Sequence, residues 1–254
     1  MKKYNLNDER IPVDDPRSRD EPLKNNNAIS EGNFDCVEVI FRDHERKLKE
    51  LIKRFEKGAI FGCVAWLTSE PILTALSKCE HVQIVVQKED FLRPDSNQGK
   101  LNPWKNKLHT LYSKIGFRME RFQMKYGVGS LSVCSDPTVE GIRCVGNHNK
   151  DKNPAFPRAH HKFLVFCELK DYEEQGPAQE YEWTNYKPVA VWTGSYNITD
   201  NATRSFENVI YLEDGSGENP ILEAYLKEHH QILSISEQLD WTSHWCEPEY
   251  RIGT

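Results

Sequence analysis

This sequence lacks several features that would assign it to a membrane, secreted or zinc-binding class. Its longest apolar run, residues 59–67, is far too short to cross a bilayer. No apolar segment follows the charged start Met1-Lys2-Lys3, so we expect no signal peptide. The seven cysteines form no C-x-x-C pair, which argues against a zinc site. Most of them lie in apolar segments, which predicts reduced, buried thiols. Together these absences predict a cytoplasmic protein with no membrane association.

The distribution of proline and charge divides the chain into two parts. Residues 1–33 are polar and charged, contain Pro12, Pro16 and Pro22, and are predicted to form a flexible N-terminal arm. Residues 34–254 are long enough to bury a substantial core, so we expect them to form one folded domain.

Apolar periodicity predicts an α/β fold. Strand patterns at 37–41, 59–67 and 81–86 alternate with helical patterns at 43–58 and 70–79. This order predicts a mixed, largely parallel central sheet flanked by helices. The acidic stretch 168–187 is expected to be a surface loop. Further strands are expected near residues 131–134, 142–146, 159–166, 189–195 and 207–212, with a closing helix at about 220–233.

Two groups of polar residues adjoin apolar strand patterns. His160-His161-Lys162 stands at the start of one pattern, and Gly194-Ser195-Tyr196-Asn197 ends another. Because alternate residues of a strand share a face, His160 would project with Lys162, and Ser195 with Asn197. An imidazole, an ammonium, a hydroxyl and a carboxamide suit an anionic phosphate centre, with the histidine as nucleophile and the others as donors to phosphoryl oxygens.

The order His160-x-Lys162, Gly194-Ser195-x-Asn197 and then Glu207-Asn208 resembles the motif of the phospholipase D superfamily. The motif spans about residues 142–214, and the half-unit of that family would account for residues 34–254 as a catalytic domain. The resemblance implies a nuclease-like phosphodiesterase that carries the motif once and dimerises to complete its active site. One position departs from the pattern, because the family usually has an aspartate where this chain has Cys167.

A mechanism for phosphodiester cleavage can be written for these residues. A neutral His160 would attack phosphorus to form a phosphohistidine, while Lys162, Ser195 and Asn197 hold the phosphoryl oxygens. Glu207 would accept a hydrogen bond from the other ring nitrogen of His160 and fix its tautomer. The charged side chains do the work that a divalent ion does elsewhere, so we expect no metal and no cofactor.

The leaving group needs a second histidine as general acid, and the chain has one good copy of the motif. The other His-x-Lys, His148-Asn149-Lys150, lies in a polar stretch with no Gly-Ser-x-Asn after it, and we interpret it as a loop. The second histidine is therefore expected from a symmetry-related copy, which predicts a homodimer with both His160 rings in one site. His161 is expected to point to the opposite face.

Basic residues are concentrated before and around the motif, although the net charge of the chain is −6. Residues 100–126 contain seven basic residues and one acidic residue, and a second cluster leads into the motif. Local positive charge favours the binding of polyanions, although the first cluster also fits ordinary solvated helix faces. The predicted substrate-binding residues are Lys105, Lys107, Arg143, Lys150, Lys152 and Arg158.

These clusters favour a nuclease that acts on DNA or RNA. A phospholipase or lipid phosphodiesterase is the alternative among enzymes, but no basic helix with a strong apolar face stands out. A catalytically weakened interaction module is the alternative outside enzymes, with Cys167 as a sign of decay. The arm and the acidic C-terminal region, residues 213–254, are candidate surfaces for a partner protein.

Overall fold

The computed structural model describes residues 10–11, 19–22, 34–92, 103–116, 120–126, 129–134, 140–149, 156–175 and 179–239. Over these residues the chain has the predicted mixed α/β fold, with a nine-stranded sheet, four α-helices and a separate pair of short strands. The strands are β1 (Arg10–Ile11), β2 (Glu21–Pro22), β3 (Cys36–Ile40), β4 (Ala59–Val64), β5 (His81–Gln87), β6 (Glu120–Tyr126), β7 (Gly129–Cys134), β8 (Ile142–Val145), β9 (Lys162–Gln175), β10 (Gln179–Gly194) and β11 (Val209–Glu213). The helices are α1 (His44–Arg54), α2 (Glu70–Leu76), α3 (Pro103–Tyr112) and α4 (Pro220–Ser234).

The sheet is mixed, but its parallel part is smaller than the sequence predicts. Its strands follow the order β3-β11-β10-β9-β4-β5-β8, and β6 adds to β10 and pairs with β7. Within this order only the pairs β4–β5 and β5–β8 are parallel. The prediction of a parallel βαβ unit is confirmed for β4-α2-β5 and wrong for β3-α1-β4. Three antiparallel strands separate β3 from β4, because hairpin-connected strands reverse the chain direction.

Residues 168–187 form most of a long hairpin rather than the predicted surface loop. β9 pairs with β10 from Phe163 opposite Thr193 out to Gln175 opposite Glu180, with a register shift near Pro188. The many acidic residues suggested a loop, but this stretch also contains Trp183 and several tyrosines, which favour extended backbone.

Helices cover the sheet from both sides. On one side, Leu48 of α1, Leu73 of α2 and Leu108 of α3 are buried in a core cluster with the sheet. On the other side, Leu222 of α4 packs in a second cluster that includes Val165 of β9. α4 contacts β4, β5, β9 and β10. Within the described residues, no helix is long and apolar enough to cross a membrane.

Four strand ends meet at one end of the sheet, which we call the rim. Val64, the last residue of β4, is opposite Lys162, the first residue of β9. Gly194, the last residue of β10, is opposite Val209, the first residue of β11. A side chain at Gly194 would place its Cβ 2.1 Å from the carbonyl oxygen of Asn208, so only glycine allows this approach. Residues just before β9 and β11 and just after β10 therefore share the rim.

Candidate active site

The His160-His161-Lys162 segment is fixed at the amino end of β9. The amide of Ala65 donates to the carbonyl of His161 at 2.8 Å, which extends the pairing of β4 with β9. The Lys162 ammonium donates to the carbonyl of His160 at 2.9 Å. The His160 side chain itself is exposed. The nucleophile proposed from the sequence is thus accessible while its backbone is held.

The surroundings of His160 favour its neutral form. Partial burial and the positive charges of Lys162 and Arg158 lower the pKa of the His160 ring. A neutral imidazole has an unprotonated nitrogen, which nucleophilic attack requires.

The surroundings of Lys162 include an acidic group of the motif. Partial burial lowers the pKa of the Lys162 ammonium, and the nearby Glu207 carboxylate opposes this shift. Lys162 and Glu207, 45 residues apart in the sequence, therefore interact electrostatically at the rim. This interaction helps to keep Lys162 positively charged at the rim.

Ser195 is locked in place by the turn that connects β10 to β11. Its amide donates to the carbonyl of Asn208 at 2.9 Å, and its hydroxyl accepts from the amide of Asn208 at 3.0 Å. The Ser195 hydroxyl donates to the Glu207 carboxylate at 2.5 Å. From the sequence, the Glu207 carboxylate is expected to accept a hydrogen bond from the His160 ring. In the described residues its hydrogen bond is instead with Ser195, because the two residues occupy facing ends of neighbouring strands.

Asn197 lies beyond Ser195, on backbone that crosses to the end of β4. The amide of Ile198 donates to the carbonyl of Trp66 at 3.0 Å, and Ile198 forms a parallel bridge with Leu67. The Asn197 side-chain oxygen is buried and has no hydrogen-bond partner among the described residues. A buried amide oxygen without a hydrogen-bond partner is unusual in a folded protein.

His161 points away from the other motif residues, as predicted. Its ring lies 3.8 Å from the Glu228 carboxylate of α4 and packs edge-on against Phe163. Burial lowers the pKa of the His161 ring, and Glu228 opposes that shift. His161 therefore contacts α4, and its side chain is 47% exposed.

The predicted substrate-binding residues occupy different surroundings. Arg158 lies near His160 and stacks over the Phe156 ring at 4.4 Å, so a role beside the site stays a prediction. Lys107 is exposed but pairs with Glu70 of α2 at 2.7 Å. Lys150 and Lys152 lie outside the described residues.

Two of these predictions, Arg143 and Lys105, are wrong because both side chains are buried. Arg143 on β8 is 3% exposed and donates to the hydroxyl and carbonyl of Ser236 and to Glu140. Lys105 lies on the buried side of α3 and is 4% exposed. These cations serve the interior of the fold and cannot contact a nucleic acid.

Exposed apolar side chains lie on β3, on β11 and at the rim. Val39 of β3 and Ile210 of β11 are directly opposite each other. Phe206, the neighbour of Glu207, is 91% exposed, and the Arg42 guanidinium lies 5.1 Å from the centre of its ring. We call this surface the open face; it consists of Val37, Val39, Phe41, Phe206 and Ile210. Adjacent exposed apolar side chains of this kind make the open face a candidate interaction surface.

Gln87 also adjoins this site, and the sequence patterns did not identify it. It is the last residue of β5, and its side chain accepts a hydrogen bond from the amide of Ala159, next to His160, at 2.6 Å. A polar residue at the carboxyl end of a buried apolar strand was the signal that could have found it.

No family model matches the chain. It is 29% identical over 230 residues to uncharacterized protein L381 of Acanthamoeba polyphaga mimivirus, a match that covers 87% of this chain and 73% of the viral protein. Among solved structures, it is similar to Nuc from Salmonella typhimurium, a phospholipase D family member, with 16% identity, a TM-score of 0.45 and coverage of 80% of this chain and 96% of that chain. It is also similar to NucT from Helicobacter pylori, with 11% identity, a TM-score of 0.44 and coverage of 80% and 98%.

Proposed function

We propose that this protein is a metal-independent phosphodiesterase that cleaves DNA or RNA through a phosphohistidine intermediate at a homodimeric site. The observation that carries the proposal is the meeting of the motif residues at the rim. Lys162 and Glu207 interact there, Ser195 is hydrogen-bonded to Glu207, and His160, whose exposed ring has a lowered pKa, adjoins Lys162.

In the first step of the proposed reaction, a ring nitrogen of His160 bonds to phosphorus and the bond from phosphorus to the leaving oxygen breaks. The Lys162 ammonium and the Asn197 amide stabilise the charge on the phosphoryl oxygens. The Ser195 hydroxyl donates to Glu207 in the structure. When substrate binds, it would exchange this hydrogen bond for one to a phosphoryl oxygen. In the second step water attacks phosphorus, the phosphorus–nitrogen bond breaks, and a phosphate monoester and neutral His160 are released.

The leaving oxygen needs a proton in the first step, and the attacking water must lose one in the second. We assign both transfers to His160 of a second copy of the chain, which would start protonated and return to that state. The open face supports this dimer, because it places exposed apolar surface beside the rim.

The choice of a nucleic acid as substrate rests on positive charge near the site. Arg158 is close enough to His160 to lower its pKa, and the sequence adds Lys150 and Lys152 shortly before it. Cations at this position attract the phosphates that flank the one being cleaved.

The test is the cleavage of labelled single- and double-stranded DNA and RNA in excess EDTA. We expect the wild type to cut at least one of these polymers and His160→Ala to lose activity by about a thousandfold or more, because the nucleophile is gone. His148→Ala is the matched control, because it alters the other His-x-Lys sequence and should retain activity.

Three results would contradict the proposal. These are cleavage that requires a divalent ion, cleavage that survives His160→Ala, and loss of activity in His148→Ala when His160→Ala remains active. Cleavage of phospholipid vesicles without cleavage of any nucleic acid would contradict the nuclease assignment and leave the phosphodiesterase chemistry in place.

A further inference from the structure

Gln87 stands out because its side chain is bonded entirely to backbone. The residue is 1% exposed at the carboxyl end of β5. Its amide nitrogen donates to the carbonyls of Lys88 at 2.9 Å and Asn147 at 2.8 Å. Its amide oxygen accepts from the amide of Ala159 at 2.6 Å. Both donor hydrogens and the acceptor are therefore in use.

These hydrogen bonds hold together the two ends of the segment that connects β8 to the motif. Asn147 begins this segment and Ala159 ends it, and Gln87 binds both. A second link joins the same ends, since the Asn147 side chain donates to the carbonyl of Pro157 at 3.1 Å. The chain leaves β8 through Gly146, whose φ is +97°, and a Cβ there would lie 2.6 Å from the Gln87 oxygen. The turn at Gly146 therefore requires glycine, both for its positive φ and for the close approach of the Gln87 side chain.

The hydrogen bond between the Ala159 amide and Gln87 holds the backbone immediately before His160, the proposed nucleophile. Residues 156–161 belong to no helix or strand, so the backbone around His160 depends on individual hydrogen bonds. Gln87 holds it on the N-terminal side, through Ala159, and Ala65 holds it on the C-terminal side, through the carbonyl of His161.

We propose that Gln87 is a positioning residue for His160: its buried amide fixes the backbone on which the nucleophile is presented to the phosphate. This inference rests on the proposed function in taking His160 as the nucleophile. It adds a residue from a strand that contains no part of the motif.

Glutamine suits this position for a chemical reason. A glutamate carboxylate could accept from Ala159 but could not donate to the carbonyls of Lys88 and Asn147. An asparagine is one methylene shorter, so its amide would not reach all three partners. A methionine fills similar volume but leaves three backbone groups without their bond.

The chain contains a matched control for this residue. Gln83 lies on the same strand, is also 1% exposed, and its side-chain nitrogen and oxygen have no hydrogen-bond partner among the described residues. Gln83→Met therefore removes an amide of the same type and burial that is not bonded to the site. Asn147→Ala removes the weaker second link at a more accessible position and provides a further variant should Gln87→Met fold poorly.

The experiment compares the wild type with Gln87→Met, Gln83→Met and Asn147→Ala in three measurements. These are kcat and KM for cleavage in EDTA, the pKa of the His160 ring by NMR titration, and amide hydrogen exchange of residues 156–161. Gln87→Met should lower kcat by about tenfold to a hundredfold with little change in KM, because a misplaced nucleophile affects the chemical step. In the same variant the pKa of His160 should rise toward its ordinary value, and exchange should accelerate. Asn147→Ala should show smaller changes in the same directions, and Gln83→Met should show none.

The outcomes separate this inference from the proposed function. A wild-type protein that cleaves nothing refutes the proposed function, and the titration and exchange of His160 then still decide whether Gln87 positions it. An unchanged His160 titration and unchanged exchange in both Gln87→Met and Asn147→Ala would overturn the inference. So would a kcat in Gln87→Met equal to that in Gln83→Met while the wild type is active.

Discussion

Partial burial and the positive charges near His160 both lower the pKa of its ring. Lys162 is part of the motif, whereas Arg158 precedes it and lowers the pKa of the same ring from outside. Arg158 can thus contribute twice to a nuclease, by attracting phosphate and by keeping the nucleophile unprotonated.

We predict that Arg158→Ala moves the acidic limb of the pH profile of kcat/KM to higher pH. Loss of a nearby cation lets the pKa of His160 rise toward its ordinary value of 6.5. A larger fraction of the enzyme then carries a protonated, inactive ring at mildly acidic pH. The measurement is kcat/KM between about pH 4.5 and 8, relative to the plateau of each variant.

Arg46→Ala is the control for this prediction, because Arg46 is an exposed arginine of α1 that pairs with Glu50. Its profile should match the wild type. An acidic limb that stays in place in Arg158→Ala would show that the charge of Arg158 does not act on the group that must be neutral.

Single residues also show where the sequence prediction succeeds and where it stops. The apolar pattern predicts that His160, Lys162, Ser195 and Asn197 lie at strand ends, and the resemblance to the phospholipase D superfamily adds Glu207 to this group. The burial of Arg143 could not be predicted, because counting charges along a sequence does not reveal which face of a strand is covered. The pairing of Glu207 with Ser195 depended on the exact geometry of a turn.

At the scale of elements, β9 joins the site to the core. Lys162 begins it at the rim, and Cys167 lies five residues further along, fully buried opposite Ala59 and Pro188. Burial raises the pKa of the Cys167 thiol, so the group is neutral and packs as an apolar side chain. The aspartate that the phospholipase D superfamily usually has at this position would here be a charge in the interior.

We predict that Cys167→Asp lowers the free energy of unfolding by about 3 kcal/mol or more at neutral pH, because it buries an unpaired carboxylate. Burial raises the folded-state pKa of such a group above its unfolded value, so the loss should be small at low pH and grow as pH rises. Urea unfolding at several pH values measures this dependence. Cys167→Ser is the control, with a loss of about 1–2 kcal/mol that does not depend on pH over this range. A Cys167→Asp variant as stable as the wild type, with faster cleavage, would show that the site tolerates and uses the carboxylate.

The elements themselves were partly predictable. The strand and helix patterns of β4, α2 and β5 identified a parallel unit because each element is short and bounded by clear signals such as Pro71. The β9–β10 hairpin was missed because its acidic composition resembled that of a loop. Its aromatic residues favour extended backbone, but the pairing of the two strands depends on contacts between segments and cannot be read from composition.

At the scale of the whole molecule, the open face links the fold to the proposed chemistry. α4 packs over β4, β5, β9 and β10, whereas Val39 of β3 is 54% exposed and faces Ile210 of β11. The uncovered apolar surface thus lies beside the rim. A second copy seated there would bury this surface, and the proposed proton transfer requires that the same arrangement bring a second His160 near the first.

We predict that the protein is a dimer in solution and that Val39→Glu combined with Ile210→Glu makes it monomeric, since two carboxylates per copy would be buried against each other. Sedimentation velocity measures the mass, and cleavage should be lost together with the dimer. Ser113→Glu, an exposed change on the opposite side of the sheet just after α3, should leave both unchanged. A wild-type monomer with full activity would contradict the homodimeric site.

Mixing of subunits then distinguishes a shared site from two independent ones. If each site needs His160 from both copies, a mixed dimer of wild type and His160→Ala is inactive. An equal mixture after full subunit exchange should then retain about one quarter of the activity of an equal total amount of wild type, since random pairing makes one dimer in four fully wild type. If each copy works alone, the mixture should retain about half. A value near one half, with subunit exchange verified by mass, would show that the general acid comes from within one chain. The histidines nearest the rim would then be the candidates.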